Sequence, residues 1–274
     1  MDLKLTKAAL ATTQAALDSQ LTKRATYRRY FDYSNDLEIN EQIATQGKVA
    51  RSVWETGGSA GEAHQKSHSH WKDSKVFADR FDKWGRSCLK TVLKHPRFDT
   101  KRDNYVVAEY GPGEGAVLSA FQPFADKLLG FDISEINLNE TSRVIGDKFI
   151  PVFVKDDLSN LTEFDASVDV FLSFNVIQHF PSKAYTEQVV QFIGNAVKPN
   201  GIAILQIRFD NGNPAYGCFS LDEYDSVSGH TYANAIRIDL FNSMLIRAGF
   251  TVDFIGQITS KNGVTFWATK GGRL

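Results

Sequence analysis

Three glycines and two acidic residues alternate in the seven-residue segment Glu109–Gly115, which lies between two apolar runs. Glycine lets a backbone turn tightly and approach a ligand closely, and the amides at the start of a following helix favour polar ligand groups. Gly111, Gly113 and Ala116 also satisfy the G-x-G-x-x-G/A pattern of dinucleotide-binding proteins. A chance glycine-rich turn is the alternative without a ligand. The segment alone therefore indicates a nucleoside-bearing ligand without choosing one.

Acidic residues around this segment help to choose the ligand. Glu109 lies two residues before the first glycine, where a carboxylate suits an ammonium group and would repel a pyrophosphate. Asp132 ends the next apolar run, 21 positions after Gly111, where it could accept hydrogen bonds from both hydroxyls of a ribose. NAD enzymes share the second acid, which supports nucleoside binding without choosing the cofactor. The pair favours S-adenosyl-L-methionine over a dinucleotide.

The elements that would position these residues follow an alternating pattern after about residue 100. Short apolar runs alternate with amphipathic stretches, including helices at about 183–198 and 238–248, which is typical of a mostly parallel sheet with crossover helices. Seven runs are predicted as strands: Tyr105–Glu109, Lys127–Asp132, Ile150–Val154, Val168–Phe174, Gly201–Ile207, Thr251–Ile255 and Thr265–Thr269. The tight Asn262-Gly263 turn predicts that the last strand is antiparallel. We expect a three-layer, Rossmann-like α/β fold.

Residues 1–100 have a different pattern and are predicted to form an N-terminal helical cap on the domain at 101–274. Leu3, Leu10, Leu17 and Leu21 have helical spacing in an Ala-rich segment, and a second helix is predicted at about 71–94. Glycine loops that bind NAD usually open their domain, whereas this one follows about a hundred residues of the cap. This order again favours S-adenosyl-L-methionine.

From about residue 104 to 270 the sequence resembles class I S-adenosylmethionine-dependent methyltransferases. The segment at 109–115 looks like the first motif of that family, Asp132 like its ribose-binding acid, and Lys198-Pro199-Asn200-Gly201 like the turn into its fifth strand. The run Val152–Leu158 looks like its third-strand motif, in which Asp157 is preferred to Asp156 as the acid that meets the adenine amino group. The resemblance implies a cofactor site formed by Glu109, Tyr110, Gly111, Gly113, Gly115, Asp132, Ile133, Asp156, Asp157, Leu158 and Asn175, with Trp71 from the cap.

His179 is the first candidate for catalysis, because it follows the fourth predicted strand, beside the expected position of the methyl group. Its ordinary pKa suits a general base for an acceptor hydroxyl. Some N-methyltransferases of small molecules that this sequence resembles carry an acid-histidine pair here. Gln178 replaces the acid in this chain. The alternative interpretation is a histidine that packs against the next helix.

Two further segments could contact the acceptor. His64, His68 and His70 lie beside Trp71 in a loop that could bind a metal, but no acid completes an obvious ligand set and we expect none. We expect this loop to close over the active site and bring one histidine, His70, to the acceptor. Arg208 follows the fifth predicted strand and could anchor an anionic acceptor, or form an ion pair with its neighbours.

Composition excludes several other classes of protein. A net charge of −1 and a pI near 6.6 give no reason to expect a nucleic-acid or membrane partner. Asn175-Val176-Ile177-Gln178 also lacks the proline-aromatic motif of DNA amino-methyltransferases. With no secretory pattern at the start and two cysteines, a cytoplasmic location is expected.

We therefore expect a methyltransferase that modifies a small molecule, on oxygen in preference to nitrogen. The alternatives are an NAD(P)-dependent oxidoreductase and a non-catalytic binding module with the same fold. Homodimer formation stays open.

Overall fold

The computed structural model describes residues 39–56, 74–209, 235–256 and 263–271. Its helices are α1 (Ile39–Thr56), α2 (Ser74–Val92), α3 (Ala116–Phe121), α4 (Glu135–Ile145), α5 (Lys183–Ala196) and α6 (Ile238–Arg247). Its strands are β1 (Tyr105–Tyr110), β2 (Ala125–Asp132), β3 (Phe149–Phe153), β4 (Val168–Ser173), β5 (Val197–Phe209), β6 (Ala235–Ile236), β7 (Phe250–Gly256) and β8 (Gly263–Lys270). Two 3₁₀ turns cover Ser159–Glu163 and Ile177–His179.

The strands form one sheet in the order β3-β2-β1-β4-β5-β8-β7, with the two-residue β6 paired to β5 beyond this path. The pairs among β1 to β5 are parallel, and β8 is antiparallel to both β5 and β7. The strand order reverses at β1, since β2 and β4 lie on either side of it. In open α/β sheets such a reversal opens a crevice at the carboxyl ends of the strands, where ligands bind.

Helices cover both faces of the sheet because β1 to β5 have apolar side chains on both faces. One apolar cluster joins the sheet to α5 and α6 through buried residues such as Val189, Ile193 and Phe241. The other joins it to α2, α3 and α4. The predicted three-layer Rossmann-like fold is therefore confirmed, including its antiparallel last strand.

A serine side chain caps the first turn of two helices and explains where each helix starts. The Ser134 hydroxyl accepts a hydrogen bond from the Asn137 amide at the start of α4, and the Ser182 hydroxyl accepts one from the Tyr185 amide at the start of α5. These side chains satisfy amides that the first helical turn leaves without partners. Both serines lie at the edge of the sheet where the crevice opens.

The opposite edge of the sheet is held together by Asp169 of β4. Its carboxylate accepts hydrogen bonds from the Val106 amide at 2.8 Å and from Lys198 Nζ at 3.0 Å, and it pairs with Arg102. The carboxylate is mostly buried, and these donors hold its pKa below the ordinary range, although burial opposes them. Lys198, which the sequence singled out as part of a family motif, thus has a structural role far from the crevice.

Helix α1 packs on the loop that follows β3. Gly47 lies so close that a Cβ on it would stand 2.2 Å from the Asp156 carbonyl oxygen. Arg51, one helical turn later, forms an ion pair with the Asp156 carboxylate and lies over the Phe153 ring at 5.5 Å. These contacts fix α1 against the carboxyl edge of the sheet, where the sequence analysis predicted a cap but no helix at these positions.

Candidate active site

A cavity of about 210 Å³ lies at the carboxyl ends of β1, β2 and β4, and α1 and α2 line its other side. Its described lining falls into two groups. Glu109, Glu114, Asp132 and Asn137 form what we call the acidic end, around the glycine loop. Trp54, His179, Phe180 and Tyr185 form what we call the aromatic end. The rest of the described lining is Ala50, Trp84, Tyr110, Gly111, Pro112, Gly113, Ala116, Val117, Ile133, Phe174, Asn175, Val176 and Pro181.

The glycine loop needs glycine at its first position for two reasons. Gly111 has a φ of +74°, in the left-handed region that side chains disfavour, and a Cβ there would stand 2.5 Å from Val176 Cγ2. Its amide donates to the Phe131 carbonyl at 2.7 Å, which ties the turn to β2. By contrast, a Cβ on Gly113 would meet nothing within 4 Å, so the backbone there borders open space. The loop thus offers its backbone to a ligand.

Asp132 is the best-positioned acceptor at the acidic end. Its Oδ1 accepts from the Ser134 amide at 2.9 Å and its Oδ2 accepts from Asn137 Nδ2 at 3.2 Å. The backbone amides of Gly113 and Ile133 also lower the pKa of this carboxyl group, although burial raises it more. These donors fix the carboxylate beside the glycine loop. Because each carboxylate oxygen has two lone pairs, Asp132 can still accept bonds from a ligand beyond the one geometric hydrogen bond that each oxygen accepts, from the Ser134 amide and from Asn137.

The three acids of the acidic end share one electrostatic environment. Burial raises the pKa of Asp132 to about 6 and the pKa of Glu114 to about 7. Burial, the Asp132 charge and the Glu114 charge also raise the pKa of Glu109 well above its ordinary range, against a hydrogen bond from the Leu118 amide. No Lys or Arg belongs to the described lining. The acidic end is therefore arranged for a cation and against a phosphate.

Two buried oxygens at this end accept no hydrogen bond from the residues that the structure describes. They are Glu109 Oε2 and Asn137 Oδ1. Such atoms cost free energy unless a ligand or water satisfies them. A ligand with an ammonium group and ribose hydroxyls has donors for both. The residues present thus fit S-adenosyl-L-methionine.

The acids of the predicted adenine motif lie outside the described lining of the cavity. The Asp156 carboxylate pairs with Arg51, and its Oδ1 is buried without a hydrogen-bond partner among the described residues. Asp157 is exposed, and its carboxylate accepts from the Ser159 amide at 3.0 Å, which lowers its pKa. Leu158 is buried in the core next to this turn, with a φ of +57°. Gly115 also lies behind the cavity, packed against α4.

His179 lines the cavity at the aromatic end, as its position after β4 predicted. The Trp54 ring of α1 meets its imidazole edge-on, with 4.9 Å between ring centroids. Phe180 meets both Tyr110 and Tyr185 edge-on at 5.3 Å, and the two tyrosine hydroxyls share a hydrogen bond of 3.2 Å. The aromatic end is therefore a packed wall of rings on one side of the cavity.

Arg208 is linked to the lining of the cavity by hydrogen bonds through Gln178. Its Nε donates to Gln178 Oε1 at 3.1 Å, and Gln178 Nε2 lies 3.0 Å from His179 Nε2. Arg208 itself is not in the described lining. The residue that replaced the expected acid thus links Arg208 to His179.

The structure brings together eight of the residues that the sequence predicted. Glu109, Tyr110, Gly111, Gly113, Asp132, Ile133, Asn175 and His179 all line the cavity. Four candidates, His64, His68, His70 and Trp71, lie outside the described residues, as does the first predicted helix around Leu3–Leu21. The sequence analysis missed Asn137, although it lies at the first turn of α4 five residues after Asp132. It also missed Trp54, for which no local motif gives a signal.

The comparisons with known proteins concern the domain and its fold. Residues 108–205 match a family model described as a methyltransferase domain. This match confirms the expected resemblance to class I methyltransferases and S-adenosyl-L-methionine as the cofactor. Among curated proteins, no sequence matches the chain.

Solved structures share the fold at low identity. A putative methyltransferase from Bacillus halodurans C-125 is 15% identical, with 68% of this chain and all of that chain covered, at a TM-score of 0.51. The 1,6-didemethyltoxoflavin-N1-methyltransferase of Burkholderia thailandensis, solved with 1,6-didemethyltoxoflavin and S-adenosylhomocysteine, is 16% identical over 84% of this chain and 91% of that chain, at 0.56. The CurJ carbon methyltransferase is 14% identical over 95% and 81%, at 0.52. In the described residues, no helix is long and apolar enough to span a membrane.

Proposed function

We propose that this chain transfers a methyl group from S-adenosyl-L-methionine to a small-molecule acceptor, on oxygen in preference to nitrogen. The observation that carries the proposal is the cavity itself, which has buried carboxylates at one end and aromatic rings at the other. A pyrophosphate would face Glu109, Glu114 and Asp132 with no described cation to offset them. An NAD(P)-dependent oxidoreductase is disfavoured for that reason.

The cofactor residues have separate tasks. When bound, S-adenosyl-L-methionine supplies an electrophilic methyl group on a sulfonium. Asp132 and Asn137 would hold the ribose hydroxyls, because Asn137 keeps the Asp132 carboxylate in place and leaves its own Oδ1 as an acceptor. Glu109 would hold the ammonium group through Oε2. The glycine loop lets the backbone lie against the ligand without a side chain between them.

The aromatic end would hold the acceptor. Methyl transfer from a sulfonium is an in-line displacement, so alignment and exclusion of water contribute most of the rate. Trp54 of α1 lies against His179 and encloses this part of the cavity, which suits a small molecule. In the described lining, the carboxylates that could hold an amine lie at the acidic end, so an oxygen acceptor fits better. Trp71 and His70 of the predicted cap remain candidates to cover the cavity.

A titration tests the cofactor and an assay tests the transfer. Isothermal calorimetry of the full chain should give tighter binding of S-adenosylhomocysteine than of NAD, and the reverse order would overturn the proposal. The assay uses S-adenosyl-L-methionine labelled in its methyl group with separate sets of carboxylic acids, phenols and amines. Turnover with amines alone would contradict the preference for oxygen. Binding of adenosylhomocysteine without turnover in any set would instead favour a non-catalytic module.

A further inference from the structure

The Gln178 side chain lies between groups whose hydrogen-bonding roles are fixed. The guanidinium of Arg208 can only donate, and its Nε lies 3.1 Å from one end of the Gln178 amide, so that end is the oxygen. The other end lies 3.4 Å from the Asn175 carbonyl oxygen, which can only accept. Both neighbours therefore require the same orientation of the amide.

This orientation determines where His179 carries its proton. The Gln178 NH₂ group faces His179 Nε2 at 3.0 Å, and an amide nitrogen only donates. Nε2 must therefore accept with its lone pair, and the single proton of the neutral ring is on Nδ1. The ring has little freedom to escape, because Gln178 is buried and Trp54 packs edge-on against the imidazole.

We propose that Arg208 and Gln178 are positioning residues that hold His179 as the neutral Nδ1–H tautomer. In this state the only lone pair on a ring nitrogen is bound to Gln178, so His179 is a hydrogen-bond donor and is not placed to act as a general base. The meaning of this inference for catalysis rests on the proposed methyl transfer, but the tautomer itself does not.

The inference narrows the acceptor class. First, a nucleophile at this site has to lose its proton without help from His179. Second, the Nδ1–H group of His179 favours an acceptor whose reacting atom is an oxygen that accepts a hydrogen bond. The acceptors that meet both conditions are carboxylates and acidic hydroxyls, such as enols and activated phenols, which ionise in water near neutral pH. The acceptor sets of the transfer assay separate these compounds from simple alcohols and amines.

Nitrogen NMR tests the tautomer directly and needs no acceptor. The full chain is labelled with ¹⁵N-histidine and measured at about pH 8, where an ordinary imidazole is neutral. A His179→Asn variant identifies the His179 signals by their loss. In the wild type, Nε2 should show the shift of an unprotonated nitrogen and Nδ1 that of a protonated one. A protonated Nε2 in the wild type would overturn the inference.

Two variants then test whether Gln178 and Arg208 set this state. Gln178→Glu replaces the donor with a carboxylate that only accepts, so the proton should move to Nε2. Arg208→Met frees the amide to turn and should give both tautomers, which decides the point even if Gln178→Glu does not fold. The control is Gln191→Glu on the exposed face of α5, which should leave the His179 signals unchanged. An unchanged tautomer in both test variants would remove the positioning role.

The experiment keeps this inference apart from the proposed function. The variants at positions 178 and 208 should bind S-adenosylhomocysteine within about twofold of the wild type, because neither residue belongs to the acidic end. Loss of adenosylhomocysteine binding by the wild type would instead count against the cofactor. A wild type that binds it but carries the proton on Nε2 would retain the proposed function and reject the tautomer.

Discussion

The two ends of the cavity are built from the chain in opposite ways. The three acids of the acidic end fall within 24 consecutive residues, from Glu109 to Asp132, which form one strand, one glycine loop, one helix and the next strand. In the aromatic end, Trp54 and Tyr185 are 131 positions apart, and they line the same cavity because α1 and α5 pack together in the fold. In the proposed function, cofactor binding is thus encoded locally, whereas acceptor recognition depends on long-range packing.

The ends also differ in charge. Burial raises the carboxyl pKa values at the acidic end, and that end stabilises a cation once its carboxylates are ionised. The described lining of the aromatic end has an imidazole among aromatic rings and no carboxylate. Changes at one end should therefore alter affinity for the cofactor, and changes at the other should alter turnover.

The largest expected effect is on turnover, at His179. His179→Ala should lower kcat by about 100- to 1,000-fold, as the loss of a donor beside a reacting oxygen does. Asn in place of histidine keeps an N–H near the position of Nδ1 and has no basic nitrogen, so His179→Asn should stay within about tenfold of the wild type. Steady-state kinetics with an accepted substrate measures both. Equal losses of kcat in the two variants would indicate that His179 acts as a base. A weakened affinity for the cofactor would contradict the division of tasks between the two ends.

A smaller effect is expected on affinity, at Asp132. Asp132→Asn should weaken S-adenosylhomocysteine binding by about 10- to 150-fold, equivalent to about 1.5–3 kcal/mol for lost bonds to a charged group. The matched control is Asp126→Asn, an exposed acid on the same strand, which should bind as the wild type does. Calorimetry decides between them. Similar affinity in the two variants would mean that Asp132 does not hold the ribose.

The stability of a Gly111 variant tests whether the glycine turn of the acidic end requires glycine. Gly111→Ala should lower the free energy of unfolding by about 2–4 kcal/mol, since it combines a strained φ with a contact against Val176. Gly113 has a φ of +55° but open space around a Cβ, so Gly113→Ala should cost only about 1–2 kcal/mol. Urea unfolding followed by circular dichroism gives both values. Equal losses would mean that the close approach to Val176 is relieved at no cost.

The smallest expected effect is a pH dependence at the acidic end. The pKa values of about 6 for Asp132 and about 7 for Glu114 are above those of the unfolded chain, near 4. The folded protein without ligand therefore holds these protons more tightly, and their contribution to stability is present below about pH 4 and is lost as pH rises through 6 to 7.

A bound ammonium group favours the ionised carboxylates, so the effect of the ligand runs the other way. Adenosylhomocysteine should raise the Tm more at pH 8 than at pH 5.5, with a gain of about tenfold in affinity. Differential scanning fluorimetry measures the shift. Glu114→Gln should reduce the change in adenosylhomocysteine affinity around pH 7. An affinity that falls with rising pH would contradict binding of a cationic group at the acidic end.

Much of the fold followed from patterns along the chain. The seven predicted strands all correspond to observed strands, because alternating apolar runs and turn residues are local signals. The two-residue β6 was not predicted, since it exists only by pairing with the end of β5. Helix α1 was also missed. Its position depends on long-range contacts such as the ion pair of Arg51 with Asp156, for which the sequence around α1 contains no signal.

The candidate site shows the same contrast between local signals and long-range contacts. The sequence by itself determined the acidic end, because a strand, a glycine turn and a helix start place Glu109, Gly111 and Asp132 together with few degrees of freedom. Only the tertiary structure decided how His179 is used, since its proton position depends on an amide that Arg208 of β5 holds in place. Spacing along a chain specifies a turn. The orientation of a hydrogen-bond donor is specified by whichever distant groups pack around it.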